Sequence, residues 1–164
     1  LCLISRPAAS ALQRVQLALA EFGLGLKVFD AYRPQRSVDH FLRWSEDHQD
    51  VRHKANYYPE LAKPELFSKG YLVQHSSHSR GSTVDLTVID LDTGDELEMG
   101  TRFDFFGEES WIDCQRISGQ ARGNRMLLQH VMVQHGFVPF HHEWWHFTLQ
   151  DEPYPATCFD FPIA

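Results

Sequence analysis

Residues 137–149 read FVPFHHEWWHFTL, and the fold turns on whether this stretch is a helix or a strand. Within it, His142-Glu143-Trp144-Trp145-His146 spells the H-E-x-x-H pattern of helical zinc proteases, where positions four apart share a face and let two imidazoles reach one metal. Pro139, Phe140, Phe147 and Thr148 flank the two tryptophans, and such a run favours a pleated strand. The extended metalloprotease pattern also needs Gly at position 149 and His at 152, where this chain has Leu149 and Glu152. The residues after His146 include Pro153, Pro155 and Pro162, which leave little room for a further ligand-bearing helix. As a strand, the segment puts His142, Trp144 and His146 on one face and Glu143 on the other. Glu143 and His146 then share a site only across a bulge or bend, a device sheets use beside active sites.

Upstream, Ser5 and Pro7 introduce AASALQRVQLALAEFG, in which Leu12, Val15, Leu19 and Phe22 recur at helical spacing and Gly23 supplies a stop. LKVFDAY reads as a strand that runs into a turn at Pro34. Ser37 is placed to cap a second helix, VDHFLRWSEDHQ, with Val38, Phe41, Leu42 and Ser45 on one face. Residues 50–70 carry two prolines and little period, the pattern of a long surface excursion. STVDLTVID alternates, and LDTGDELEMG offers a turn and a return strand, so a hairpin is expected there. SGQARGNRMLLQHVMVQHG reads as a third helix ending at Gly136. Helices interspersed with antiparallel signals predict an α+β fold, with no internal repeat.

At 164 residues, with 43% hydrophobic, 23% charged and 13% aromatic residues, the chain is expected to form one globular domain spanning 1–164. No apolar run is long enough to span a membrane. The formal charge of -7 comes with scattered basic residues, which argues against nucleic acid as a partner. Cys2, Cys114 and Cys158 form neither a zinc knuckle nor a disulfide framework. Ten histidines are the compositional oddity, since His is a common metal ligand and proton carrier. The chain starts at Leu1, so an upstream piece is expected; a signal peptide within it would make the protein periplasmic, and without one it would be cytoplasmic.

A second constellation lies in HSSHSRGSTVDLT, residues 75–87, where His78 precedes a turn at Gly81 and Asp85 sits among Val84, Leu86 and Val88. Burying such an aspartate is costly without a cation or a donor set. Three explanations stand at this point: an ion pair with Arg33, exposure on the solvent face of a hairpin, or metal binding. His78, Asp85 and His146 form a two-His, one-carboxylate set that leaves a position open for water, suiting catalytic zinc and also non-haem Fe(II). Glu143 favours hydrolysis, because a metal-activated water needs a base.

In FDAYRP (29–34), SSHSRGSTVDLT (76–87), MGTRFD (99–104) and EWWH (143–146), the chain resembles the VanX-like D-alanyl-D-alanine dipeptidases, zinc enzymes of a wider family that includes D,D-carboxypeptidases. The resemblance implies a mainly antiparallel central sheet with helices packed on it, a D,D-peptidase or hedgehog-like fold, and one zinc ion per chain. It implies zinc ligation by His78, Asp85 and His146, with Glu143 as general base and Arg33 stabilising the transition state. Ser76 would hold the substrate's C-terminal carboxylate and Asp104 its free amino group, although Ser76 also suits a turn and Asp104 a cap. His141 and His142 match no catalytic position and are expected to be surface or supporting residues. The resemblance also implies an N-terminal family segment that brings an aromatic residue to the pocket, and that segment is expected to lie outside residues 1–164.

The implied activity is zinc-dependent hydrolysis of D-Ala-D-Ala, in cell-wall metabolism or glycopeptide resistance, with a small D,D-dipeptide as partner. Rival expectations are a D,D-carboxypeptidase acting on longer peptidoglycan peptides and a non-catalytic, zinc-stabilised binding domain.

Overall fold

Helix α1 (Arg6–Ala20) starts where Ser5 accepts a hydrogen bond from the Ala8 amide at 3.4 Å, with Pro7 in the first turn. Ala8, Ala11, Val15 and Leu19 form its buried stripe, while Phe22, expected on that face, lies past the helix end and is exposed. The computed structural model describes residues 2–163. Strand β1 (Leu24–Asp30) follows, then α2 (Gln35–Glu46), two short helices α3 (Lys54–Tyr57) and α4 (Lys63–Ser68), and β2 (Thr83–Asp90). The chain continues through α5 (Gly119–Gln134), β3 (Phe137–Phe140) and β4 (Glu143–Leu149).

The four strands form one antiparallel sheet in the order β1-β2-β4-β3. This is the α+β architecture expected, and 137–149 is the hairpin of β3 and β4 turning at His141 and His142. On one face of the sheet, Val84, Leu86 and Val88 of β2 and Trp145, Phe147 and Leu149 of β4 join the apolar stripe of α1 and Leu128, Val131 and Met132 of α5 in the main core. The period of two in the strands sends Asp85 and His146 to the opposite face. A smaller cluster, Tyr58, Leu61, Leu66 and Tyr71, packs separately between α2, α4 and the loop that follows.

Three local expectations fail for physical reasons. Helix α2 begins at Gln35 after Pro34, so Ser37 lies inside its first turn and caps nothing. Its first amides are satisfied instead by the chain's far end: Gln35 N–H donates to the Phe159 carbonyl at 3.0 Å and Arg36 N–H to Asp160 Oδ1 at 2.7 Å. The return strand expected after β2 reduces to a single bridge between Ile89 and Glu96, with Leu97 N–H donating to the Val88 carbonyl at 2.9 Å, while β4 pairs with the first half of β2 at Thr83–Asp85. Residues 50–70 are partly helical, since Pro64 opens α4 and Glu65 reaches back to the Ala62 amide at 2.8 Å.

Candidate active site

Cross-strand pairing assembles the site. Asp30 of β1 faces Asp85 of β2, and Asp85 faces His146 of β4, so three polar side chains from three strands lie side by side. Between Ser76 and Gly81 the chain makes a 3-10 turn, Ser77–Arg80, closed by Gly81 at φ 77° in the left-handed region that suits glycine. That turn folds His78 back onto Asp85.

His78 Nε2 lies 3.2 Å and His146 Nδ1 3.0 Å from the same oxygen, Asp85 Oδ1. The tautomer of His78 follows from its other nitrogen, which donates to the Ala31 carbonyl at 2.7 Å and leaves Nε2 as an acceptor. Asp85 is 2% exposed, and its Oδ1 accepts no well-formed hydrogen bond among the described residues. Asp85 Oδ1 and His78 Nε2 thus meet as acceptors at close range with His146 Nδ1 beside them, an arrangement that is costly alone and suits a divalent cation. Burial would raise the Asp85 carboxyl, but the His78 and His146 rings overcome it and hold the group below the usual carboxylate range.

Of the open explanations for Asp85, exposure fails. The ion pair with Arg33 is marginal, 4.0 Å from Asp85 Oδ2, because Arg33 directs Nε and Nη2 to Asp30 Oδ2 at 2.9 and 2.5 Å. Asp30 was not singled out in the sequence, although its place three residues before Arg33 in FDAYRP is a readable signal. Held this way, the guanidinium packs over Phe41 and borders the cavity.

The bend that Glu143 required is present. Pairing of β3 with β4 slips between Pro139 and Phe140, and Phe140 pairs with Glu143 at the hairpin end. Glu143 Oε2 comes to 3.5 Å from His146 Nδ1, on the same side as the ligand set. Burial drives the Glu143 carboxyl up to about 8, helped by Asp85 and Asp104 and opposed by His146 and Arg33. His146 also has Ser77 Oγ at 3.2 Å from Nε2, a neighbour the sequence reading did not assign.

A cavity of about 760 Å³ contains Arg33, Ser76, His78, Asp85, Asp104, Glu143 and His146 among its lining residues. Ser76 is buried and accepts from the His78 amide at 3.3 Å, as a turn residue does, while its own hydroxyl proton stays available. Asp104 caps no helix; it adopts φ 61°, a left-handed conformation uncommon outside glycine. Burial, with repulsion from Asp85, raises its carboxyl to about 7 against the pull of Arg33. The two unassigned histidines stand apart: His141 is exposed near Asp113, and His142 stacks on Trp111 with ring centroids 4.9 Å apart.

The family model described as D-ala-D-ala dipeptidase matches residues 1–164. A D-alanyl-D-alanine dipeptidase of Enterococcus faecalis is 44% identical over 98% of this chain and 79% of its own length. Another, of Streptomyces coelicolor, is 45% identical over 94% of this chain and 77% of its own length. Among solved structures, the vancomycin resistance D,D-pentapeptidase VanY in complex with Zn(II) shares the fold with a TM-score of 0.52 at 15% identity, covering 90% of this chain and 72% of that one. VanYB in complex with D-alanine-D-alanine gives 0.51 at 14% identity, covering 89% of this chain and 71% of that one.

Proposed function

The chain belongs to the D-ala-D-ala dipeptidase family, and on that footing we propose that residues 1–164 act as one zinc-dependent domain hydrolysing D-Ala-D-Ala to two D-alanines. The observation that carries the site is the convergence of His78 Nε2, Asp85 Oδ1 and His146 Nδ1 within one buried cluster. These three atoms would hold the zinc. When bound, zinc acidifies water and polarises the scissile carbonyl.

The chain's own groups do the rest. Glu143 takes a proton from the attacking water and returns it to the leaving amine, a task suited to a carboxyl whose burial brings its proton affinity toward neutrality. Arg33, held by Asp30, offers positive charge where the carbonyl oxygen becomes an anion, and so favours the transition state over the bound substrate. Ser76 donates its free hydroxyl proton to the substrate's C-terminal carboxylate. Asp104 receives the free ammonium, and a peptide blocked at that end leaves a cavity-lining carboxyl unpaired, which selects dipeptides.

A cavity of about 760 Å³ exceeds what two alanines fill, and this favours, as a second reading, activity on longer D,D-peptides. One experiment tests both: zinc content and D-Ala-D-Ala turnover with and without chelator, alongside an N-acylated peptide. Turnover that needs zinc and prefers the free dipeptide is expected. Chelator-resistant turnover refutes the metal reading, and preference for the blocked peptide refutes the dipeptidase reading.

A further inference from the structure

Arg125 of α5 is the one fully buried arginine among the described residues, and its donors go to the main chain instead of to a carboxylate. Nε donates to the Met99 carbonyl at 2.7 Å, Nη1 to Trp111 at 2.9 Å and Nη2 to Glu109 at 2.9 Å. These carbonyls bracket the loop 99–111, whose middle is Asp104. Burial lowers the Arg125 guanidinium to about 10.

A hydrogen-bond relay runs from the same side chain toward Asp104. Arg125 Nη2 at 3.4 Å and Trp144 Nε1 at 2.9 Å both donate to Thr101 Oγ1. Thr101 lies 2.9 Å from Ser110 Oγ, and Ser110 Oγ donates to the Phe105 carbonyl at 2.5 Å. With the Ser110 proton committed to Phe105, Thr101 must be the donor to Ser110. The relay thus ends one residue beyond Asp104 and starts beside Glu143, since Trp144 follows the base. The loop has little slack: Gly100 sits at φ 82°, and a Cβ there would meet Ile117 at 2.8 Å. Phe103, on the other side of Asp104, stacks on Phe29 with centroids 4.6 Å apart.

We infer that Arg125 is a positioning residue for recognition of the substrate's amino group: it fixes the 99–111 loop so that Asp104 points into the cavity, and thereby sets discrimination between free and N-blocked peptides. The inference rests on the reading of Asp104 given above. Arg125→Lys keeps the charge but cannot span three carbonyls, whereas Asp104→Asn keeps the shape and tolerates the positive φ.

The test measures kcat and KM for D-Ala-D-Ala, with N-acetyl-D-Ala-D-Ala scored as substrate or competitive inhibitor, in both variants and the double variant, together with zinc content. Arg125→Lys is expected to lower kcat/KM for the free dipeptide by about tenfold to a hundredfold, chiefly through KM, with little change toward the blocked peptide. The double variant should discriminate no worse than Asp104→Asn alone. Equal losses on both peptides, or additive losses of discrimination in the double variant, overturn the inference. If Asp104→Asn itself keeps full discrimination, the amine reading falls and this inference with it; if only Arg125→Lys keeps it, the amine reading stands and the inference alone falls. Should Arg125→Lys fail to fold, Arg125→Gln, whose single amide cannot reach all three carbonyls, takes its place, and the same ratio decides.

Discussion

The two walls of the cavity are built to different standards. The sheet wall carries His78, Asp85, Glu143 and His146 on or against paired strands, with α1 and α5 packed behind them. The facing wall rests on α2, two helices of 4 and 6 residues, and a cluster centred on Tyr58, Leu61, Leu66 and Tyr71. A backbone fixed by sheet hydrogen bonds on both sides holds ligand atoms to within fractions of an ångström, whereas a small satellite core can yield at little cost. On the proposed reading, metal binding and proton transfer would fall to the stiff wall, and the shape of the space around the substrate to the soft one.

Asp85→Asn strikes the stiff wall hardest. It preserves volume but removes the charge that joins the two imidazoles, so bound zinc and hydrolysis should both be lost, as metal analysis and D-Ala-D-Ala turnover will read. Full zinc content in that variant would break the division at its centre. Next in size is Glu143→Gln, which leaves the ligand set intact; zinc should stay at wild-type content while kcat falls by at least about a hundredfold to ten-thousandfold. Retained turnover would remove Glu143 as base. The mildest effect on chemistry is expected from Leu66→Ala on the soft wall. Emptying that fully buried position should cost about 2–5 kcal/mol of local or global stability, read by hydrogen exchange and melting, and should raise KM severalfold with kcat nearly unchanged. A matched fall in kcat would show that the two walls are not separable.

The sequence disclosed features whose causes are local. The Ser5 cap with its stripe Ala8 to Leu19, the alternation across Val84 to Val88, and the β-prone flanks of EWWH could all be read because a few neighbouring residues decide them. Glu65 behind Pro64 is an equally local signal for α4, inside the stretch expected to be a surface excursion. What stayed hidden depends on distant partners. Nothing near Gln35 announces that residues 159 and 160 will satisfy its helix start, and nothing near Thr87 shows that β1 and β4 will be the partners of β2. The convergence of His78, Asp85 and His146 was expected from residue chemistry and resemblance, but the means of bringing Glu143 beside His146, a slip in the pairing of β3, belongs to the sheet and not to any short stretch.

The pairing of Asp85 with His146 also bears on how the chain reaches its fold. It closes a loop of roughly sixty residues, a non-local contact whose entropy must be lost before much is gained, so this central pairing, like that of β1 with β2, should form late. His78 and Asp85, by contrast, are near neighbours in sequence and can meet early. An ion captured by that early pair and then by His146 would act as a clasp, turning a late closure in the sheet into the step where metal affinity is converted to folding free energy.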